Sequence, residues 1–130
     1  MATTFATVLN CMDGRVPRPV GDYLVGRFGV DCVDTITEAG LVRFLADAPD
    51  APETVSALAK VRISTERHGS TAIAVVGHVD CAGNPVSDDE HVAQVRRAVA
   101  FLESRFPACE VVGLWVDRDW NVHEVADQAV

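Results

Sequence analysis

Two short clusters carry the residue types that can do chemistry, Cys11-Met12-Asp13-Gly14-Arg15 and His78-Val79-Asp80-Cys81. Together they offer two thiolates and one imidazole. Catalytic zinc sites keep three protein ligands of these types and leave a fourth position open. Cys11, His78 and Cys81 are therefore the candidate metal ligands, for one Zn2+ per chain. Asp13 and Arg15 follow the first thiol by two and four residues. That spacing suits a buried ion pair poised over the open position, so these two are the candidate catalytic residues. Zinc lowers the pKa of a bound water enough to supply hydroxide near neutral pH, and the set reads as a zinc enzyme that activates water. Either cysteine alone would read as an ordinary buried thiol.

Ligands 67 residues apart (78 minus 11) must be brought together by the fold. Phe5 to Asn10 is a short apolar run that predicts a buried strand. Val20, Leu24 and Phe28 fall at helical spacing, with Pro19 suited to the first turn and Gly29 to the exit. Val30 to Ile36 predicts a second strand, and Leu41 to Ala46 a short helix. Asp50 and Glu53 resemble a capping box that opens a helix running to about His68. Ala72 to Val76 predicts a third strand. Ser87-Asp88-Asp89-Glu90 predicts a second capped helix, with Val92, Val95, Val99, Leu102 and Phe106 on one face and Pro107 at its end. Cys109 to Val116 predicts a fourth strand, and Trp120 to Val125 a last short segment at an edge.

Strands alternating with helices predict an α/β fold, a mainly parallel sheet of about four strands flanked by helices in three layers. In the order 2-1-3-4, strands 1 and 3 are neighbours whose crossovers leave in opposite directions. Ligands bind at the carboxyl ends of such a switch point, and both clusters sit there.

At 130 residues the chain is read as a single zinc-binding domain, 1–130. A net charge of -8 without a basic cluster argues against nucleic acid as a partner. No apolar stretch approaches the ~20 residues needed to span a bilayer, and no membrane partner is expected. The first residues carry no basic, signal-like segment, which predicts a cytoplasmic location. There, thiols stay reduced, and four scattered cysteines without a C-x-x-C pair suggest metal or free thiols rather than disulfides.

The stretches Cys11 to Arg15 and Val75-Val76-Gly77-His78-Val79-Asp80-Cys81-Ala82-Gly83, each after a parallel strand, resemble the β-class carbonic anhydrases. The element order extends that resemblance over most of the chain. It implies that Cys11, His78 and Cys81 hold the zinc. It also implies that Asp13 accepts a hydrogen bond from zinc-bound water, or closes onto the zinc at rest, and that Arg15 holds Asp13. The reaction implied is attack of zinc-bound hydroxide on carbon dioxide to give bicarbonate, the work of a zinc lyase of the carbonate dehydratase type. The substrate would be the small molecule alone, and the assembly a homodimer or higher homo-oligomer. Thr37-Glu38-Ala39-Gly40 stands where the family often has Arg-Asn-Ala-Gly, and Cys81-Ala82-Gly83 where it has Cys-Gly-Gly. Two rivals are a zinc hydrolase of carbon disulfide or carbonyl sulfide, and a non-catalytic zinc-stabilised assembly module.

The remaining candidates have plainer readings. Asp80 is expected to cap a turn or pair on the surface. His68 is expected at an exposed helix end, His91 on a helix surface and His123 in the last segment. Cys32 and Cys109 are expected as small core residues, and Trp115 and Trp120 as packing or interface residues.

Overall fold

A computed structural model of the chain describes residues 3–125. The ends of the 1–130 unit therefore lie outside the described residues. The elements are β1 Phe5–Asn10, α1 Pro17–Phe28, β2 Cys32–Thr37, α2 Leu41–Asp47, α3 Pro52–Arg67, β3 Ala72–His78, α4 Asp88–Arg105, β4 Glu110–Val116 and β5 Val122–Val125. The sheet has five strands in the order β2-β1-β3-β4-β5. The first four are parallel, and β5 pairs antiparallel to β4. The expected order 2-1-3-4 is thus present, and the late edge segment adds the fifth strand.

Alternation along the strands builds two cores. Leu9, Ile73 and Val75 face one way and pack with Leu41, Leu45, Val61, Val95 and Leu102 of α2, α3 and α4. Val8, Ala74, Val76 and Leu114 face the other way, against Val20 and Leu24 of α1 and Val16 before it. Strand β3 is buried along its whole length, as a central strand covered on both faces must be. Strand β2 is an edge strand with only Ile36 buried. That placement corrects the expectation for Cys32, which is exposed, while Cys109 is half-buried.

The helix ends follow local chemistry. Gly29 closes α1 in the left-handed region, its N–H on the Val25 carbonyl. Ser87 caps α4 by accepting from the Glu90 amide at 3.1 Å, as its sequence predicts. The expected Asp50 cap does not form: Ala51 is the N-cap residue of α3, without a side-chain cap, and Pro52 begins the helix. A proline pushes the residue before it into the extended region and needs no partner for a missing N–H, so Pro52 alone sets this start. Thr54 instead ties α3 to α2 through the Phe44 and Ala48 carbonyls. None of the described helices is long and apolar enough to cross a membrane.

Leu102 is fully buried between α4 and the sheet. Leu102→Ala should lower unfolding free energy by about 2–5 kcal/mol, the range for a leucine cavity. Urea unfolding with an unchanged slope checks it.

Candidate metal centre

The chain leaves β1 and β3 side by side at their carboxyl ends, and the two clusters meet there. Cys11 follows β1 directly, and its amide donates to Asn10 Oδ1 at 2.9 Å. His78 is the last residue of β3, and Cys81 lies three residues on. All three side chains are buried, and one donor atom from each lies within 4.8 Å of the others. The Cys11 and Cys81 sulfurs are 3.8 Å apart. Two sulfurs each about 2.3 Å from a tetrahedral zinc would stand about 3.8 Å apart.

The imidazole is oriented for the same purpose. His78 Nδ1 donates to the Val79 carbonyl at 2.7 Å. A carbonyl can only accept, so Nδ1 carries a proton, and in the neutral ring Nε2 keeps its lone pair. Nε2 is buried and has no hydrogen-bond partner. Buried polar atoms are nearly always paired, and a metal ligated by neutral imidazole is the partner this nitrogen lacks. The residues present therefore fit a zinc ion on the structure's own terms.

Protonation divides the two thiols. Burial pushes both up. At Cys11 that is outweighed by the nearby His78 ring, by the backbone amides of Gly40 and Asp13, and by the Cys81 thiol, so its pKa falls. At Cys81 burial is joined by the charge and hydrogen bond of Cys11, and the amides of Gly83 and Asn84 offset only part, so its pKa rises. Burial also opposes the charge on His78, but contact with Cys11 and the Val79 carbonyl and the charges of Cys11 and Asp13 leave its pKa raised. The pocket thus favours positive charge between its sulfurs.

Asp13 and Arg15 form the ion pair that their spacing predicts, but not a buried one, because the Arg15 side chain reaches along the surface and is 46% exposed. Arg15 NH2 lies 2.6 Å from Asp13 Oδ2 and Arg15 Nε 3.0 Å from Oδ1, while the Arg15 amide also donates to Oδ1 at 3.0 Å. These bonds pull the Asp13 carboxyl down to about 2 against a smaller opposing effect of burial. The same guanidinium donates to the Asp80 carbonyl at 3.2 Å and to its carboxylate at 3.3 Å, and stands 4.8 Å from the centre of the Trp120 ring. Asp80 and Trp120 are the non-glycine residues held at positive φ among those described, at 54° and 62°. Asp80 is thus a surface partner of Arg15, and Trp120 a packing residue for it.

One residue beside the centre escapes the sequence reading. His91 is buried at 3% exposure rather than lying on a helix surface. It sits one helical turn before Val95, on the face of α4 that packs on the sheet. Its ring meets Trp115 edge-on at 5.1 Å between centroids. It lies over Gly77, where an added Cβ would come within 3.1 Å of its Nε2. His91 lines a cavity of about 290 Å³ with His78, Cys81, Asn84, Val86 and Asp88. Burial, aided by the charge of His78, pushes its pKa down to about 4, so it is neutral at neutral pH. His68 bonds Asp34 at the end of α3 and His123 bonds Asp117 beside β5, both away from the centre.

With fold and site described, the comparisons place the chain. It belongs to the family described as "Putative carbonic anhydrase", whose model matches residues 1–126. Its fold is similar to that of β-carbonic anhydrase isoform I from Trichomonas vaginalis, with a TM-score of 0.66 at 14% identity over 98% of this chain and 86% of that one. The carbonic anhydrase of Streptococcus mutans gives 0.65 at 20% identity, over 96% and 83%. A tetrameric β-carbonic anhydrase from Sordaria macrospora gives 0.57 at 13% identity, over 97% and 82%. No curated protein matches the chain.

The ion pair makes a pH-dependent prediction. The Asp13 pKa is lower in the folded chain than its ordinary 3.8. The pair therefore adds stability above about pH 4 and loses it as pH falls toward 2. A carboxyl-carbon NMR titration should place the Asp13 midpoint near 2, and Arg15→Ala should return it toward 3.8.

Proposed function

We propose that this chain catalyses the reversible hydration of carbon dioxide to bicarbonate, as a zinc lyase of the carbonate dehydratase type. Cys11, His78 and Cys81 would hold one Zn2+ per chain. The observation that carries the reading is the buried, unpartnered His78 Nε2 set beside two sulfurs 3.8 Å apart. Membership of the family supports carbon dioxide as the substrate. When bound, zinc supplies hydroxide near neutral pH by lowering the pKa of a coordinated water.

The chain's own residues would do the rest. Asp13 stays ionised and can only accept hydrogen bonds, so it orients a proton-bearing group in front of it. Arg15 fixes that carboxylate through two parallel bonds, which set its direction as well as its charge. The Asp80 carbonyl and the Trp120 face fix Arg15 in turn. Burial of His78 and both cysteines keeps solvent from competing for the ligand atoms. We further propose a single catalytic domain spanning 1–130 and a homodimer or larger assembly of it, the latter in keeping with the tetrameric relative.

Stopped-flow hydration of carbon dioxide by zinc-loaded protein tests the reading. Cys11→Ser and Cys81→Ser should lose zinc by metal analysis. Asp13→Asn and Arg15→Ala should keep it and lose turnover by about 100-fold, the effect of removing one preorganised electrostatic group. Wild-type turnover in either dyad variant would make the pair structural only. Hydrolysis of carbon disulfide or carbonyl sulfide without hydration would reassign the substrate. Zinc without any turnover would favour an assembly module.

A further inference from the structure

The loop that carries Cys81 touches the loop between β2 and α2 backbone to backbone at a pair of glycines. Gly40 precedes α2 and follows β2, and Gly83 lies two residues past Cys81. A Cβ on Gly40 would stand 2.5 Å from the Gly83 carbonyl oxygen, and one on Gly83 would stand 2.7 Å from both the Ala39 carbonyl carbon and the Gly40 nitrogen. Atoms do not approach that closely, and because the atoms in the way are backbone, no side chain can swing aside. The contact exists only because both positions lack a side chain.

The seam lies beside the metal centre. The Glu38 amide ties the β2–α2 loop to the Asn10 carbonyl next to Cys11 at 3.3 Å, and the Asn84 amide donates to the Cys81 carbonyl at 3.2 Å. Asn84 is pinned from behind by a buried bond to Gln94 of α4, and Leu41 and Val42 anchor the start of α2 in the core. Each loop is therefore tied to a rigid element on its far side. Where they meet, bare backbone sets their separation.

We propose that Gly40 and Gly83 are positioning residues for the metal centre, a backbone clamp that seats the Cys81 loop against the β2–α2 loop before metal arrives. The inference rests on the reading of Cys11, His78 and Cys81 as zinc ligands. A Cβ at 83 would push the Cys81 loop away from the Gly40 loop. It would displace the Cys81 sulfur from its place beside Cys11, with both cores left intact. Second-layer contacts of this kind are worth about 10–100-fold in metal affinity.

Gly83 is the informative position, because its backbone is not in the left-handed region and alanine there meets only the steric contact. Gly29 supplies the control. It sits at φ 64° with nothing within 4 Å of an added Cβ, so alanine there strains a helix end far from the sulfurs. Zinc affinity is read by competition with a chromophoric chelator, and folding by circular dichroism. Gly83→Ala should bind zinc about 10–100-fold more weakly with an unchanged spectrum. Gly29→Ala should melt at lower temperature and bind zinc as the wild type does. Equal affinity in Gly83→Ala and wild type would overturn the clamp and leave the ligand set standing. A wild-type chain that takes up no zinc would overturn the ligand set and the clamp with it. Should Gly83→Ala fail to fold, amide hydrogen exchange on the metal-free wild type decides. Slow exchange at Gly40, Gly83 and Asn84 without zinc is expected, and protection that arises only with zinc would mean that the metal makes the contact.

Discussion

Two buried sulfurs 3.8 Å apart are the constraint around which the rest is arranged. Two thiolates at that distance in a low-dielectric pocket repel strongly. The two thiols divide the charge, Cys11 ionising more readily and Cys81 less. The imidazole beside them is drawn toward its charged form for the same reason. The two upward shifts, at Cys81 and His78, hold protons beside the Cys11 sulfur. The parallel pairing of β1 with β3 brings the sulfurs together across 70 residues, and no local preference could do so.

Arg15 is the second organising element. Its guanidinium reaches three segments that are distant in sequence: the turn after β1, the Asp80 loop between the two ligands of the second cluster, and the β4–β5 turn with Trp120. Both non-glycine residues at positive φ belong to those last two segments. Backbone in this region costs free energy for a residue with a side chain, and shape held by a shared cation is one way it persists. The fifth strand therefore bears on the centre, because the turn leading into it supplies the ring on which Arg15 rests.

Much of this was legible in the sequence for a simple reason. Cysteine, histidine, aspartate and arginine directly after apolar strand runs have few structural uses, and a parallel sheet puts such positions on one edge. What was not legible depends on neighbours that no window along the chain contains. Cys32 lies in a run that resembles β1, but β2 has one partner rather than two. Asp50 has the chemistry of a cap, but Pro52 two residues on decides where α3 begins. His91 is one helical turn from Val95 and so shares its face, yet a stripe traced through apolar residues alone starts at Val92 and passes it by. The Gly40–Gly83 contact joins loops 43 residues apart (83 minus 40), and nothing near either glycine announces the other.

The bare backbone of β3 at Gly77 has a consequence of its own. A Cβ there would meet Val95 at 2.8 Å as well as the His91 ring, so the seat of the imidazole is carved out of the strand rather than out of the helix that bears it. Positions 77 and 91 form a lock and its key blank. The strand can gain bulk only if the helix gives some up. An ordinary-sized residue at 77 would expel the histidine and take its ring out of the chamber beside the sulfurs.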